Sequence, residues 1–207
     1  MRPAPVVSLI LPCYNEQEVL PETTSRLVKL LAQWKADGSM APGSAIYYVD
    51  DGSRDRTWQM IGEYAREHAD VCGIKLSRNR GHQNALLCGL MTAPGEVLIS
   101  LDADLQDDLE AIPRMVKAYR EGSEIVFGVR SARTTDTFMK RFTAESYYKL
   151  LAFLGVQIVY NHADYRLMSR RAIETLREYD ETHLFLRGLV MQLGYKTSVV
   201  EFERAER

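Results

Sequence analysis

The sequence is poor in cysteine and has no long apolar run. Its three cysteines (Cys13, Cys72 and Cys88) are odd in number and far apart, and no CxxC or HxxxH pair occurs. Neither a disulfide framework nor a structural zinc site is indicated, and a reducing, cytosolic setting fits. No stretch of 18 apolar residues exists. The longest candidate, LLAFLGVQIVY at 150–160, is too short to span a bilayer. The opening MRPAPVVSLILPCYNE carries a short apolar run that ends in polar residues and not at a small-residue cleavage site, so it does not read as a signal peptide. A dominant charge is missing too. With 26 basic and 28 acidic side chains the net charge is −2, which gives no pull towards nucleic acid. Two phosphate-binding signatures are absent. GxGxxG does not follow the first apolar run and no GxxxxGK[ST] occurs, so dinucleotide redox chemistry and the usual ATP hydrolysis lack support. There is no internal repeat and no low-complexity segment.

What is present alternates. With 207 residues, 46% of them hydrophobic, the chain can bury one good core, so a single domain over 1–207 is expected. Near-continuous apolar runs at 6–12, 45–50, 71–77, 96–102 and 123–130 predict strands. Between them, 18–37, 54–69, 82–93 and 108–122 predict helices. The first has Leu20, Leu27, Leu30, Leu31 and Trp34 at helical spacing, the second starts on Ser53 or Asp55 as its cap, and Pro113 falls near the first turn of the fourth. Strand–helix alternation of this kind predicts an α/β fold with a mostly parallel central sheet and helices on both faces.

In such sheets ligands sit beyond the carboxyl ends of the strands. Four polar clusters fall there: CYNE (13–16), DDGSRDRT (50–57), SRNRGHQN (77–84) and DADLQD (102–107). Any one of them reads equally well as turn and cap chemistry; four on one edge point to a site. The last is the most telling. Asp102, Asp104, Asp107 and Asp108 crowd into seven positions directly after an apolar strand. If the segment is extended, Asp102 and Asp104 face the same side. Two carboxylates about 4 Å apart repel by roughly 4 kcal/mol at an effective dielectric near 20. A hard divalent cation removes that repulsion and bridges to diphosphate oxygens. Asp107 and Asp108 are expected to cap the following helix.

The segments LPCYNEQEVL, VDDGSRDRT, NRGHQNALLCGL, LDADLQDDLEAIPRMV and ADYRLMSRRA together resemble the family 2 glycosyltransferases of the GT-A (Rossmann-like) fold. More narrowly they resemble the branch that moves a sugar from a nucleotide to a polyprenyl phosphate, which includes dolichol-phosphate mannose synthase and the bacterial bactoprenol glucosyltransferases. A lone DxD is a weak signal; five motifs in family order, running from Val6 to Arg207, are a strong one. The resemblance implies an inverting, metal-dependent transfer from a UDP- or GDP-sugar. Pro12, Tyr14, Glu16, Val49 and Asp51 would flank the nucleotide. Asp102 and Asp104 would be the DxD pair on Mg²⁺ or Mn²⁺, with Ala103 between them against the donor and Gln106 completing the metal or sugar contacts. Arg130 would approach a phosphate. Asp164, with Asp104, would be the catalytic carboxylate, as a base or as a group orienting the sugar or Arg166. Arg187, Arg204 and Arg207 would be cationic groups near the phosphates of donor and acceptor. Arg80 departs from the pattern, since related chains carry an aromatic before GHQ.

The resemblance also implies partners: a nucleotide-diphosphate sugar, a polyprenyl phosphate and the cytoplasmic face of a membrane, with no nucleic acid. The segment 135–156 sets Phe138, Met139, Phe142, Tyr147, Tyr148, Leu151 and Phe153 among Lys140, Arg141 and Lys149. That composition suits a helix lying on an anionic bilayer, with part of its apolar set packed inward. Membrane helices commonly follow the arginines of this branch, so a chain cut short at Arg207 is expected. Two other readings stay open: the same fold with a saccharide acceptor, and a nucleotide-sugar binding domain without turnover.

Overall fold

The computed structural model describes residues 1–104, 106–130, 162–179 and 186–202, without the side chains of His162, Ala163 and Arg187. Seven strands form one sheet: β1 (Val7–Cys13), β2 (Ala45–Asp50), β3 (Val71–Lys75), β4 (Val97–Ser100), β5 (Ile125–Arg130), β6 (His162–Ser169) and β7 (Thr197–Phe202). Their order is β3-β2-β1-β4-β6-β5-β7. All pairings are parallel except those of β6, which runs antiparallel to both β4 and β5. Helices α1 (Leu20–Ala36), α2 (Thr57–Glu67), α3 (His82–Thr92), α4 (Ala111–Arg120), α5 (Arg170–Arg177) and α6 (Leu186–Gln192) complete the described elements. The expected α/β architecture is therefore observed.

Strand alternation sorts the core into two layers. On β1, Leu9 and Leu11 face Leu27, Leu31 and Trp34 of α1 and Met115 of α4, whereas Ile10 faces Ala85, Leu86 and Leu90 of α3 on the other side. A sheet buried on both faces needs apolar residues at nearly every strand position, which is why β1 is buried from end to end. Gly89 lets α3 sit close: a Cβ there would lie 2.4 Å from Ile10 Cγ2 and 2.9 Å from Val49 Cγ2.

The strand ends differ from the sequence expectation in one place that matters. β4 stops at Ser100, two residues before Asp102, and residues 103–104 turn. The Thr23 hydroxyl of α1 donates to the Ala103 carbonyl at 2.6 Å, and the Gln106 N–H donates to Asp104 Oδ1 at 3.2 Å. Asp102 and Asp104 thus sit on a pinned turn and not on an extended segment. Helix α4 starts only at Ala111. Asp108 receives the Glu110 N–H at 2.9 Å in the turn before the helix, Glu110 holds the cap position without a side-chain bond, and Asp107 is buried, so neither aspartate caps α4 as expected, a correction taken up below for Asp107. β6, α5, α6 and β7 were not expected from the sequence. The segment 135–156 and residues Arg204 and Arg207 lie outside the described residues. Among the described residues no helix is long and apolar enough to cross a membrane.

Candidate active site

The parallel strands deliver their C-terminal ends to one edge, and β6 enters the sheet at that same edge because it runs the other way. The first two loops there are laced together. Asn15, at φ +57, places its backbone N–H on Ser53 Oγ at 3.0 Å and its side-chain oxygen under the Arg54 N–H at 2.9 Å. Asparagine tolerates this left-handed backbone better than most residues. The Glu16 N–H donates to Thr57 Oγ1 at 2.8 Å, and the Gln17 N–H to Asp55 Oδ2 at 3.2 Å. Asp55 also accepts from the Thr57 N–H at 2.9 Å, but α2 has Arg56 at its cap position and no side-chain capping bond, so neither Ser53 nor Asp55 is the cap expected from the sequence; both serve the loops. Tyr14 stands 40% exposed at the rim. Pro12, Val49 and Ala103 are buried behind it, with Val49 packed under α3.

Asp51 is buried and fully used by the third loop. Its two carboxylate oxygens accept from the Arg80 and Gly81 N–H groups at 2.7 and 2.8 Å. Gly52 next to it has φ +70, and a Cβ there would meet the Arg78 and Asn79 backbone at 2.7 Å. This close approach turns the chain into α3, so that His82 and Gln83 open the helix facing the carboxylates. A cleft of about 590 Å³ runs between the first and second loops, lined by Glu16, Gln17, Arg54 and Asp55, and does not include Asp102, Asp104 or Asp164.

The centre of the edge is acidic. Burial raises the Asp102 carboxyl above its ordinary value; the His82 ring opposes this, and the charges of Asp104 and Asp164 add to it. Asp107, whose side chain is only 3% exposed, is pushed up to about 6 by burial and then by Asp102, against the opposing charge of Arg130. Arg130 Nη2 lies 3.4 Å from Asp107 Oδ1. Asp107 Oδ2 and Arg130 Nε are buried without a hydrogen-bond partner among the described residues.

Asp164 comes from β6. Its Oδ1 accepts from Arg166 Nη2 at 2.9 Å and its Oδ2 from Gln83 Nε2 at 3.1 Å. His82 Nε2 stands between two carboxylates, 3.9 Å from Asp102 Oδ1 and 3.6 Å from Asp164 Oδ2. The Ser100 hydroxyl donates to the Asp164 carbonyl, fixing this strand against β4. The expected ion pair of Asp164 with an arginine is therefore present, and Arg166 is buried at 1% exposure.

The structure thus brings Asp102, Asp104, Asp107, Arg130 and Asp164 within electrostatic reach of one another. Arg187 lies on α6, and its side chain is not described. Asp107, His82 and Gln83 also belong to the cluster; they lie in the stretches 77–84 and 102–107 expected at this edge, but they were not among the expected catalytic or metal-binding residues. The signal available in the sequence was their position just after a strand.

A divalent cation can be tested against this donor set. The carboxylates offer hard oxygen atoms, and to the burial that raises the Asp102 carboxyl the charges of Asp104 and Asp164 add a crowding that a cation relieves. Among the described residues no group of three or more His, Cys, Asp or Glu side chains has metal-binding spacing. Two carboxylates without a closed cage fit an ion that completes its shell with phosphate oxygens and water.

Comparison with known proteins agrees with this geometry. The family model described as glycosyl transferase family 2 matches residues 8–177. A Bacillus subtilis protein described as the uncharacterized glycosyltransferase YkoT is 46% identical over 205 residues, which is 98% of this chain and 61% of that protein. An Escherichia coli protein described as a prophage bactoprenol glucosyl transferase homolog is 36% identical over 204 residues, covering 97% of this chain and 64% of its own length. The chain therefore spans about three fifths of these relatives. Among solved structures, the mannosyltransferase PcManGT of Pyrobaculum calidifontis, in complex with GDP-Man and Mn²⁺, superimposes with a TM-score of 0.64 at 20% identity, over 100% of this chain and 60% of its own.

Proposed function

This chain belongs to glycosyl transferase family 2 and has the GT-A fold, and from that premise we propose that it moves a sugar from a nucleoside-diphosphate donor to a polyprenyl phosphate at the cytoplasmic face of a membrane. The observation that carries the reading is the convergence of Asp102, Asp104, Asp164 and Arg130 on one sheet edge. The relatives named bactoprenol glucosyl transferase support the lipid acceptor.

The first two loops, with Tyr14 and Glu16 at the rim and Asp51 bracing the third, cradle the nucleotide. Asp102 and Asp104 would hold Mg²⁺ or Mn²⁺, with Gln106 beside them. Such an ion, when bound, neutralises charge on the leaving diphosphate. Arg130 adds positive charge to the same phosphates, and Arg187, Arg204 and Arg207 serve the donor and acceptor phosphates. In the transfer an oxygen of the acceptor phosphate attacks the anomeric carbon. The bond from that carbon to the diphosphate oxygen breaks, and the nucleoside diphosphate leaves with the electron pair. One displacement inverts the anomeric configuration. A phosphate monoester, with a second pKa of about 6, is already anionic near neutral pH, so no base is required. This agrees with the bonding of Asp164. Both of its oxygens already accept hydrogen bonds, which suits an orienting carboxylate better than a proton acceptor.

The test is transfer of radiolabelled sugar from UDP-glucose, UDP-GlcNAc and GDP-mannose. Short-chain polyprenyl phosphate and oligosaccharides are offered as acceptors, with Mg²⁺, with Mn²⁺ and with EDTA. Cation-dependent transfer to the lipid phosphate is the expected result. Transfer to the oligosaccharide alone would replace the acceptor assignment, and binding without turnover would remove the enzyme.

A further inference from the structure

Gln83 has no role in the scheme above, yet it makes a side-chain bond to the centre of the site. It stands in the first turn of α3 and reaches Asp164 Oδ2 with its amide nitrogen at 3.1 Å. Its other amide atom, Oε1, is buried and has no hydrogen-bond partner among the described residues. A buried acceptor without a partner costs stability, and an apolar side chain of the same length would avoid that cost. What the amide supplies is the N–H on Asp164.

That contact closes a frame. Arg166 holds Oδ1 from the same strand, Ser100 holds the Asp164 backbone carbonyl from β4, and Gln83 holds Oδ2 from α3. Two side chains from separate elements therefore hold the carboxylate oxygens, and a third holds the backbone of the same residue. His82 also faces Oδ2, but its nearest nitrogen is 3.6 Å away, beyond hydrogen-bonding distance, and it faces Asp102 as well. Loss of the Gln83 N–H removes one of the bonds that set the direction of this carboxylate.

We infer that Gln83 is a positioning residue for sugar transfer, aiming the Asp164 carboxylate by donating its amide hydrogen to Oδ2. The inference rests on the proposed role of Asp164 in sugar transfer. It concerns the donor N–H alone, so the identity of the replacement decides the outcome. Leucine removes the donor. Glutamate keeps the shape and replaces the donor with an acceptor facing another acceptor.

The experiment compares wild type, Gln83→Leu and Gln83→Glu in the full-length enzyme, by steady-state transfer to short-chain polyprenyl phosphate and by urea unfolding. Gln83→Met replaces the leucine variant if that one does not fold. Gln83→Leu should fold with a modest loss of stability, because a buried Asp164 oxygen loses a donor, with kcat lower by about tenfold and donor KM within about twofold. Gln83→Glu should fall further in kcat. Wild-type turnover in either variant, or a loss confined to KM, overturns the inference. A double-mutant cycle on stability, pairing Gln83→Leu with Asp164→Asn, reads the contact without turnover: non-additive effects support it, additive effects overturn it. A wild-type enzyme that transfers no sugar to any acceptor, with the cycle still non-additive, sinks the proposed reaction and not the contact.

Discussion

Replacing Asp107 with Asn should make the folded protein more stable at neutral pH, and the gain should vanish in acid. The Asp107 side chain is almost fully buried, one oxygen has only Arg130 at 3.4 Å, and the other has no partner among the described residues. Burial, reinforced by Asp102, pushes its carboxyl from 3.8 to about 6. A rise of about two units corresponds to roughly 3 kcal/mol at about 1.4 kcal/mol per unit. The folded state keeps the proton to higher pH than the unfolded state does. The stability tied to this group is therefore fully present below pH 3.8 and is lost as pH rises towards 6. At about pH 7.5 the whole penalty is in force. Asparagine removes the charge and keeps an oxygen for Arg130. Urea unfolding without divalent cations should give a gain of up to about 3 kcal/mol at pH 7.5 and about 1 kcal/mol at pH 4.5. Neutralising Asp107 also eases the crowding on Asp102, which enlarges the gain without changing its sign. A gain independent of pH, or a loss of stability at pH 7.5, would refute the reasoning.

Other perturbations separate the parts of the site. The double variant Asp102→Asn, Asp104→Asn should lower sugar transfer by about a hundredfold or more, measured with saturating Mn²⁺, because the charges opposing the cation are gone. Gly52→Ala should cost about 2 kcal/mol or more in chemical unfolding, since the new Cβ meets the Arg78–Asn79 backbone at 2.7 Å and the backbone is left-handed there. Unchanged stability would deny the close approach. Replacing Phe138 and Phe142 with Ser should weaken sedimentation of the full-length protein with anionic vesicles and leave nucleotide affinity alone; equal sedimentation would dismiss the surface-helix expectation for 135–156.

Much of the frame could be read from residue order. β2 spans 45–50, as its apolar run predicts, and the first four strands alternate with helices as expected. Two things resisted. β6 carries Asp164 and Arg166 at alternate positions of a buried strand, so its apolar pattern is broken by charge. Each charge is compensated by the other, and that pairing exists only once the strand is placed between β4 and β5. The turn at 103–104 was also hidden. It depends on Thr23, which is 80 residues away in sequence and donates to the Ala103 carbonyl. Of the site, Asp102, Asp104 and Asp164 could be found by motif. Asp107 read as a cap because aspartates near a helix start usually are caps. Gln83 and His82 could be placed at this edge by their stretch, 77–84, but not against Asp164; the close turn at Gly52 brings them there.

The reversed direction of β6 has an architectural consequence. Val129, near the end of β5, pairs with His162, at the start of β6. The end of β5 and the start of β6 therefore lie at neighbouring points on the same rim. An excursion with adjacent anchor points can be lengthened, shortened or exchanged without altering a single strand pairing.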